Sequence, residues 1–123
     1  MGLRGFLLNA YDSVVRAASQ ILRNKRMPVT AVTLFEVSGE SIDQLIALQD
    51  ACEAFVASQV GFIDSKFLRS QTGADKYNIV SVSQWESRES FDAAFSRPEL
   101  EKLRAGHPSF DFHRRFYDVI RSV

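Results

Sequence analysis

The sequence predicts an α+β domain in which two helices cover one face of a four-stranded antiparallel sheet, with one further helix ahead of it. Three observations predict this. Four segments have the β-branched and aromatic composition of strands, the segments between them carry apolar residues at helical spacing, and glycine, proline or serine marks most of the joints. At 123 residues the chain holds one such domain, which would bury roughly two thirds of its unfolded surface.

Residues 2–26 set Leu3, Phe6, Leu7, Tyr11, Val14, Val15, Ala18, Ile21 and Leu22 along one stripe of a helix. The opposite side carries Arg4, Arg16 and Arg23, with Asp12 the only acid before Glu36. Such a helix suits an anionic membrane surface or a transit peptide; the reading preferred here docks the stripe on the domain or on a partner subunit. Residues 24–28 then connect it to a domain spanning 29–123.

Strand composition begins with VTAVTLFEV, Val29 to Val37, and ends at Ser38-Gly39. Ile42, Leu45, Ile46, Leu48, Ala51, Phe55 and Val56 then predict a helix to about Ser58. FIDSKFLRS and YNIVSVSQW, separated by a turn-like stretch around Gly73, predict a hairpin. Ser87 sits where an N-cap belongs, with acids beside it that suit the positive end of a helix. The helix it opens should break at Arg97-Pro98 and resume briefly to Arg104, because proline interrupts the turn yet starts a new one well. SFDFHRRFYDVIRSV predicts a final strand.

The order β-α-β-β-α-β is the ferredoxin-like, split βαβ arrangement, which leaves one sheet face without helices. Strand one alternates Val29, Ala31, Thr33 and Phe35 against Thr30, Val32 and Leu34, and strand three Tyr77, Ile79, Ser81, Ser83 and Trp85 against Asn78, Val80 and Val82, so neither face is uniformly polar. A second copy closing over the helix-free face, as a two-fold homodimer, is the expectation.

Composition removes several function classes. Lys+Arg and Asp+Glu both number 15, so no net positive field draws the chain onto nucleic acid. No glycine-rich phosphate loop, G-x-S-x-G elbow or paired-cysteine motif is present. Cys52, the single cysteine, falls in the apolar pattern of the first domain helix and reads as a small buried residue. No ligand-spaced cluster predicts a metal. The lone cysteine, and the lack of a secretory apolar core or a run of ~20 apolar residues, predict a cytoplasmic protein.

The segment GFIDSKFLRS followed by YNIVSVSQWESRESFDAAFSRPEL, above all Gln84-Trp85-Glu86-Ser87-Arg88-Glu89-Ser90-Phe91, resembles the antibiotic biosynthesis monooxygenase (ABM) family. The resemblance covers about residues 29–122. It implies a dimeric α/β barrel built from two βαββαβ units. It also implies a cofactor-independent oxygenase acting on a planar phenol or quinol in a cavity between sheet and helices. Phenol-oxidising members place an asparagine four residues before the tryptophan and a tyrosine six after it; here Ser81 and Phe91 stand there. Serine keeps a hydroxyl for hydrogen bonding, whereas phenylalanine cannot exchange a proton. Haem-degrading relatives use a helix tryptophan and an iron-ligating histidine; the matching positions hold Ala94 and Arg104, and arginine does not ligate iron.

The candidate site follows. Trp85 could wall the cavity and bond a ligand oxygen through its indole N–H, with Ser81 and Tyr77 beside it. Phe62, Phe91 and Phe112 would add aromatic walls for a small aromatic or hydrophobic ligand. His107 and His113, the two histidines, are the proton carriers available near neutral pH. Asp111, Arg114, Arg115, Asp118 and Arg121 alternate in sign and read as interface or surface. The competing reading is a non-catalytic homodimer that binds a small ligand or docks on a partner.

Overall fold

The computed structural model describes residues 13–15 and 28–123. Residues 13–15 are helical; the rest of the expected 2–26 helix, its docking and its membrane alternative lie outside the described residues. Strand β1 is Val29–Phe35 and helix α1 is Ile42–Ala57, entered through a short 3-10 turn at Gly39–Ser41. Strands β2, Phe62–Arg69, and β3, Ile79–Trp85, form the hairpin. Helices α2, Arg88–Phe95, and α3, Pro98–Arg104, precede strand β4, Phe112–Asp118.

The sheet is antiparallel in the order β2-β3-β1-β4, the spatial order of the ferredoxin-like fold. Ser87 caps α2 as expected. Its hydroxyl accepts from the Ser90 backbone N–H at 3.1 Å, and the Ser90 hydroxyl answers the Ser87 N–H at 3.3 Å. This reciprocal box satisfies two otherwise unpaired donors. The helix breaks ahead of Pro98, which occupies the first turn of α3, where its missing N–H costs nothing.

The final strand is shorter than its composition predicts: pairing with β1 ends at Asp118. Val119, Ile120 and Val123 are exposed, because β1 begins at Val29 and offers them no backbone partner. Asn78 ties down the chain just past the end of β1, its carboxamide accepting from the Val37 N–H at 3.0 Å and donating to the Val37 carbonyl at 2.6 Å.

Strand alternation sorts the side chains. Val29, Ala31, Thr33 and Phe35 are buried beneath the helices while Thr30, Val32 and Leu34 face the helix-free side half-buried. The helix-side core divides in two. One cluster joins Trp85, Phe91 and Ala94 to Val29 and Ala31; the other joins Leu45 and Ile79 to Phe35 and Val37. Between them the two central strands carry only small side chains, Ala31 opposite Ser83 and Thr33 opposite Ser81. Bulky residues at both ends and small ones between leave a hollow under the helices.

Candidate functional site

That hollow is a cavity of about 820 Å³, floored by Thr33, Ser81 and Ser83 and roofed by α1, α2 and α3. Its size suits a small organic molecule. Phe62, Phe91, Phe95 and Phe112 all line it. Phe91 and Phe95 are stacked at 4.3 Å between centroids, and they present an aromatic wall.

Trp85 does not line the cavity. It is fully buried at 0% exposure, with Phe62, Phe91 and Phe95 against its ring at 5.3, 5.6 and 6.1 Å. Each such edge-on aromatic pair adds about 0.5–1.5 kcal/mol beyond area burial. Its indole N–H donates to Ser83 Oγ at 3.1 Å, so the expected free donor is already engaged by the protein. Ser83 itself lines the cavity and stands between the indole and any ligand.

The two histidines separate. His107 lies half-buried in the turn after α3 and lines the cavity. His113 pairs with Leu34 across the strands, and that register points it to the helix-free face. There Tyr77 packs edge-on against it at 5.8 Å. His113 is thus on the side of the sheet away from the cavity, because a one-residue step along a strand reverses the face, and Tyr77, which precedes β3 and lies outside its alternation, packs there with it. Ser81, Phe62, Phe91, Phe112 and His107 share the cavity side; Tyr77 and His113 share the other.

Arg114, read from sequence as surface or interface, belongs to the cavity. It stands directly across from Thr33 and its Nε donates to Thr33 Oγ1 at 2.9 Å. Its guanidinium carbon lies 5.1, 5.0 and 4.7 Å from the ring centroids of Phe91, Phe95 and Phe112, within cation–π range of the three rings. Burial lowers its pKa to about 10, with repulsion from Arg104 acting the same way. Arg104, exposed at the cavity wall on α3, sits 5.8 Å from the Phe95 centroid. It also lies against Cys52, whose thiol pKa is raised by burial, an effect Arg104 partly opposes. The sequence did contain a signal for Arg114: Phe112, Arg114 and Phe116 alternate in step with Phe35, Thr33 and Ala31.

A haem finds no matching donor at the position the resemblance assigns to its ligand, since Arg104 has no lone pair for iron. His107 is the one imidazole on the cavity wall. Among the described residues no group of three His, Cys, Asp or Glu side chains is placed to hold a metal ion, and no helix is long and apolar enough to cross a membrane.

A four-stranded antiparallel sheet covered by helices on one face, with a cavity between the two layers, defines a ferredoxin-like α+β protein. Residues 28–106 match the antibiotic biosynthesis monooxygenase family model, and the chain belongs to that family. Among curated proteins no sequence matches it. Solved structures agree on the fold. A protein from Shewanella loihica PV-4, provisionally described as a monooxygenase, is 25% identical with a TM-score of 0.65, over 77% of this chain and 96% of its own. SnoaB, a cofactor-independent oxygenase from Streptomyces nogalater, is 20% identical with a TM-score of 0.66, over 78% of this chain and 96% of its own. The haem degrader MhuD from Mycobacterium tuberculosis is 21% identical with a TM-score of 0.59, over 77% and 98%.

Proposed function

We infer that this protein is a cofactor-independent monooxygenase-like enzyme that holds a planar phenol or quinol in the cavity between sheet and helices and turns it toward dioxygen. The observation that carries this reading is the cavity with phenylalanine walls and a floor of hydroxyls, a surface that grips a flat ring and orients its oxygen atoms. Family membership and the likeness to SnoaB support it.

The electrons come from the substrate. An electron-rich phenolate passes an electron to dioxygen, a ring carbon takes one oxygen atom, and the other leaves as water once two hydrogens from the substrate have joined it. The chain's contribution is positioning and charge stabilisation. Ser81 bonds a ring oxygen from the floor, the Phe91–Phe95 stack holds the ring plane, and His107 carries the proton at the cavity wall. The enzyme works as a homodimer, closed over the helix-free face where Val32, Val80 and Val82 lie half-buried.

The rival reading, a non-catalytic homodimeric binder, draws on two facts: the indole N–H is engaged by Ser83, and Phe91 offers no hydroxyl. One experiment separates them. A panel of naphthols and naphthoquinols is incubated with the purified protein, without added metal or flavin, under air and under nitrogen. Oxygen-dependent product with at least one member, reduced in His107→Ala, is the expected result. Equal turnover with and without dioxygen across the panel overturns the oxygenase reading in favour of the binder.

A further inference from the structure

Two cations share the cavity, and neither has a carboxylate partner among the described residues. The ion pairs there are Arg88–Asp92 and Arg97–Glu99, none of whose members lines the cavity. The acids that line the cavity, Asp50 and Glu53 on α1 and Asp64 on β2, are exposed and form no ion pair with Arg104 or Arg114. Arg104 and Arg114 therefore line the cavity without a carboxylate paired to either among the described residues.

A guanidinium ringed by phenylalanines is expensive to keep unpaired, since its lost hydration is only partly replaced by π-faces. Its retention is understandable where a ligand supplies the missing charge. Arg114 is also aimed. Thr33 takes its Nε, leaving the Nη groups as the donors toward the cavity. A fixed guanidinium plane with free N–H donors matches a planar oxyanion in two-point fashion. Phe95 lies within reach of both arginines, so an arene lying on the Phe91–Phe95 stack would carry a substituent between them.

We propose that the ligand of this cavity is an aromatic carboxylate, its ring on the Phe91–Phe95 stack and its carboxylate between Arg114 and Arg104. This deepens the arene-binding reading above and rests on it. Arg114 is the anchor and Arg104, exposed at the wall, draws the anion in and closes on it.

The test is calorimetric titration of the full chain with 2-naphthoate, its methyl ester and 2-naphthol, at low and moderate salt. A hydrogen-bonded charge pair predicts that the carboxylate binds about ten-fold or more tightly than the ester. Arg114→Gln should bring the two to within about two- to three-fold, by loss of that same contribution. Arg114→Lys should keep part of the preference, since charge without the planar fork is retained. Arg104→Gln should weaken the carboxylate alone and flatten its salt dependence. Far-UV circular dichroism checks folding, and Arg104→Gln, at an exposed position, carries the test if Arg114→Gln does not fold. Ester binding equal to or tighter than the acid, or an acid preference that survives both substitutions, overturns the proposal. Oxygen uptake is read separately: carboxylate selectivity without oxygen-dependent product removes the oxygenase reading alone, and oxidation of neutral quinols without carboxylate selectivity removes this proposal alone.

Discussion

Replacing Ser83 by alanine tests whether Trp85 is a structural or a ligand-binding residue. The indole is at 0% exposure and its N–H has Ser83 Oγ as its acceptor at 3.1 Å. Removing the hydroxyl leaves a buried donor without a partner, which costs about 1–3 kcal/mol. Ser83 borders the cavity, so water can reach part of the vacated space, and the lower half of that range, about 1–2 kcal/mol, is expected. For a chain of this length that corresponds to a fall in Tm of about 3–8 °C. Differential scanning calorimetry and urea titration followed by the emission of Trp85, the only tryptophan, measure it. Ser81→Ala, on the same floor, is the control and should change stability by less than about 0.5 kcal/mol. If Ser83→Ala melts with the wild type while arene binding collapses, the indole N–H serves the ligand and the structural account of Trp85 is refuted.

Four further outcomes are expected. Gly61→Ala should destabilise by about 2–4 kcal/mol in urea titration, because φ there is +89° and a Cβ would collide with Ser90, half of the α2 capping box. Burial raises the folded Cys52 pKa above its unfolded value, so the folded state holds that proton more tightly. Its contribution is intact below the unfolded pKa and is lost as pH rises from there through the folded value; the wild type should therefore lose stability relative to Cys52→Ala on alkaline titration, read by melts from pH 7 upward. Haemin titration should give no histidine-ligated Soret band, and a band abolished by His107→Ala would return the haem reading. Val82→Asp, on the helix-free face, should convert a dimer to monomer in sedimentation equilibrium, whereas an unchanged mass in both proteins removes the dimer proposal.

Much of the fold was legible because it rests on local chemistry. Ser87 at an N-cap, Pro98 at a first turn and alternation along Val29–Phe35 each act within a few residues, and each element formed where those signals stood. The ends were less legible. SFDFHRRFYDVIRSV reads as strand throughout, yet only Phe112–Asp118 pairs, since pairing length is set by where β1 begins.

The site was legible in part. Ser81, Phe62, Phe91, Phe112 and His107 stand together on the cavity side, but Tyr77 and His113 stand behind the sheet and Trp85 is sealed within the core. Arg114 was misread because an alternating-sign strand looks like a solvated one. By itself the sequence determined the βαββαβ order, the caps and breaks of its helices, and the family. Only the tertiary structure decided which residues meet. Strand register chooses the face of every side chain, so Arg114, next in sequence to His113, enters the cavity while His113 does not. No spacing within one segment contains that register, because it is fixed by pairing between strands some eighty residues apart.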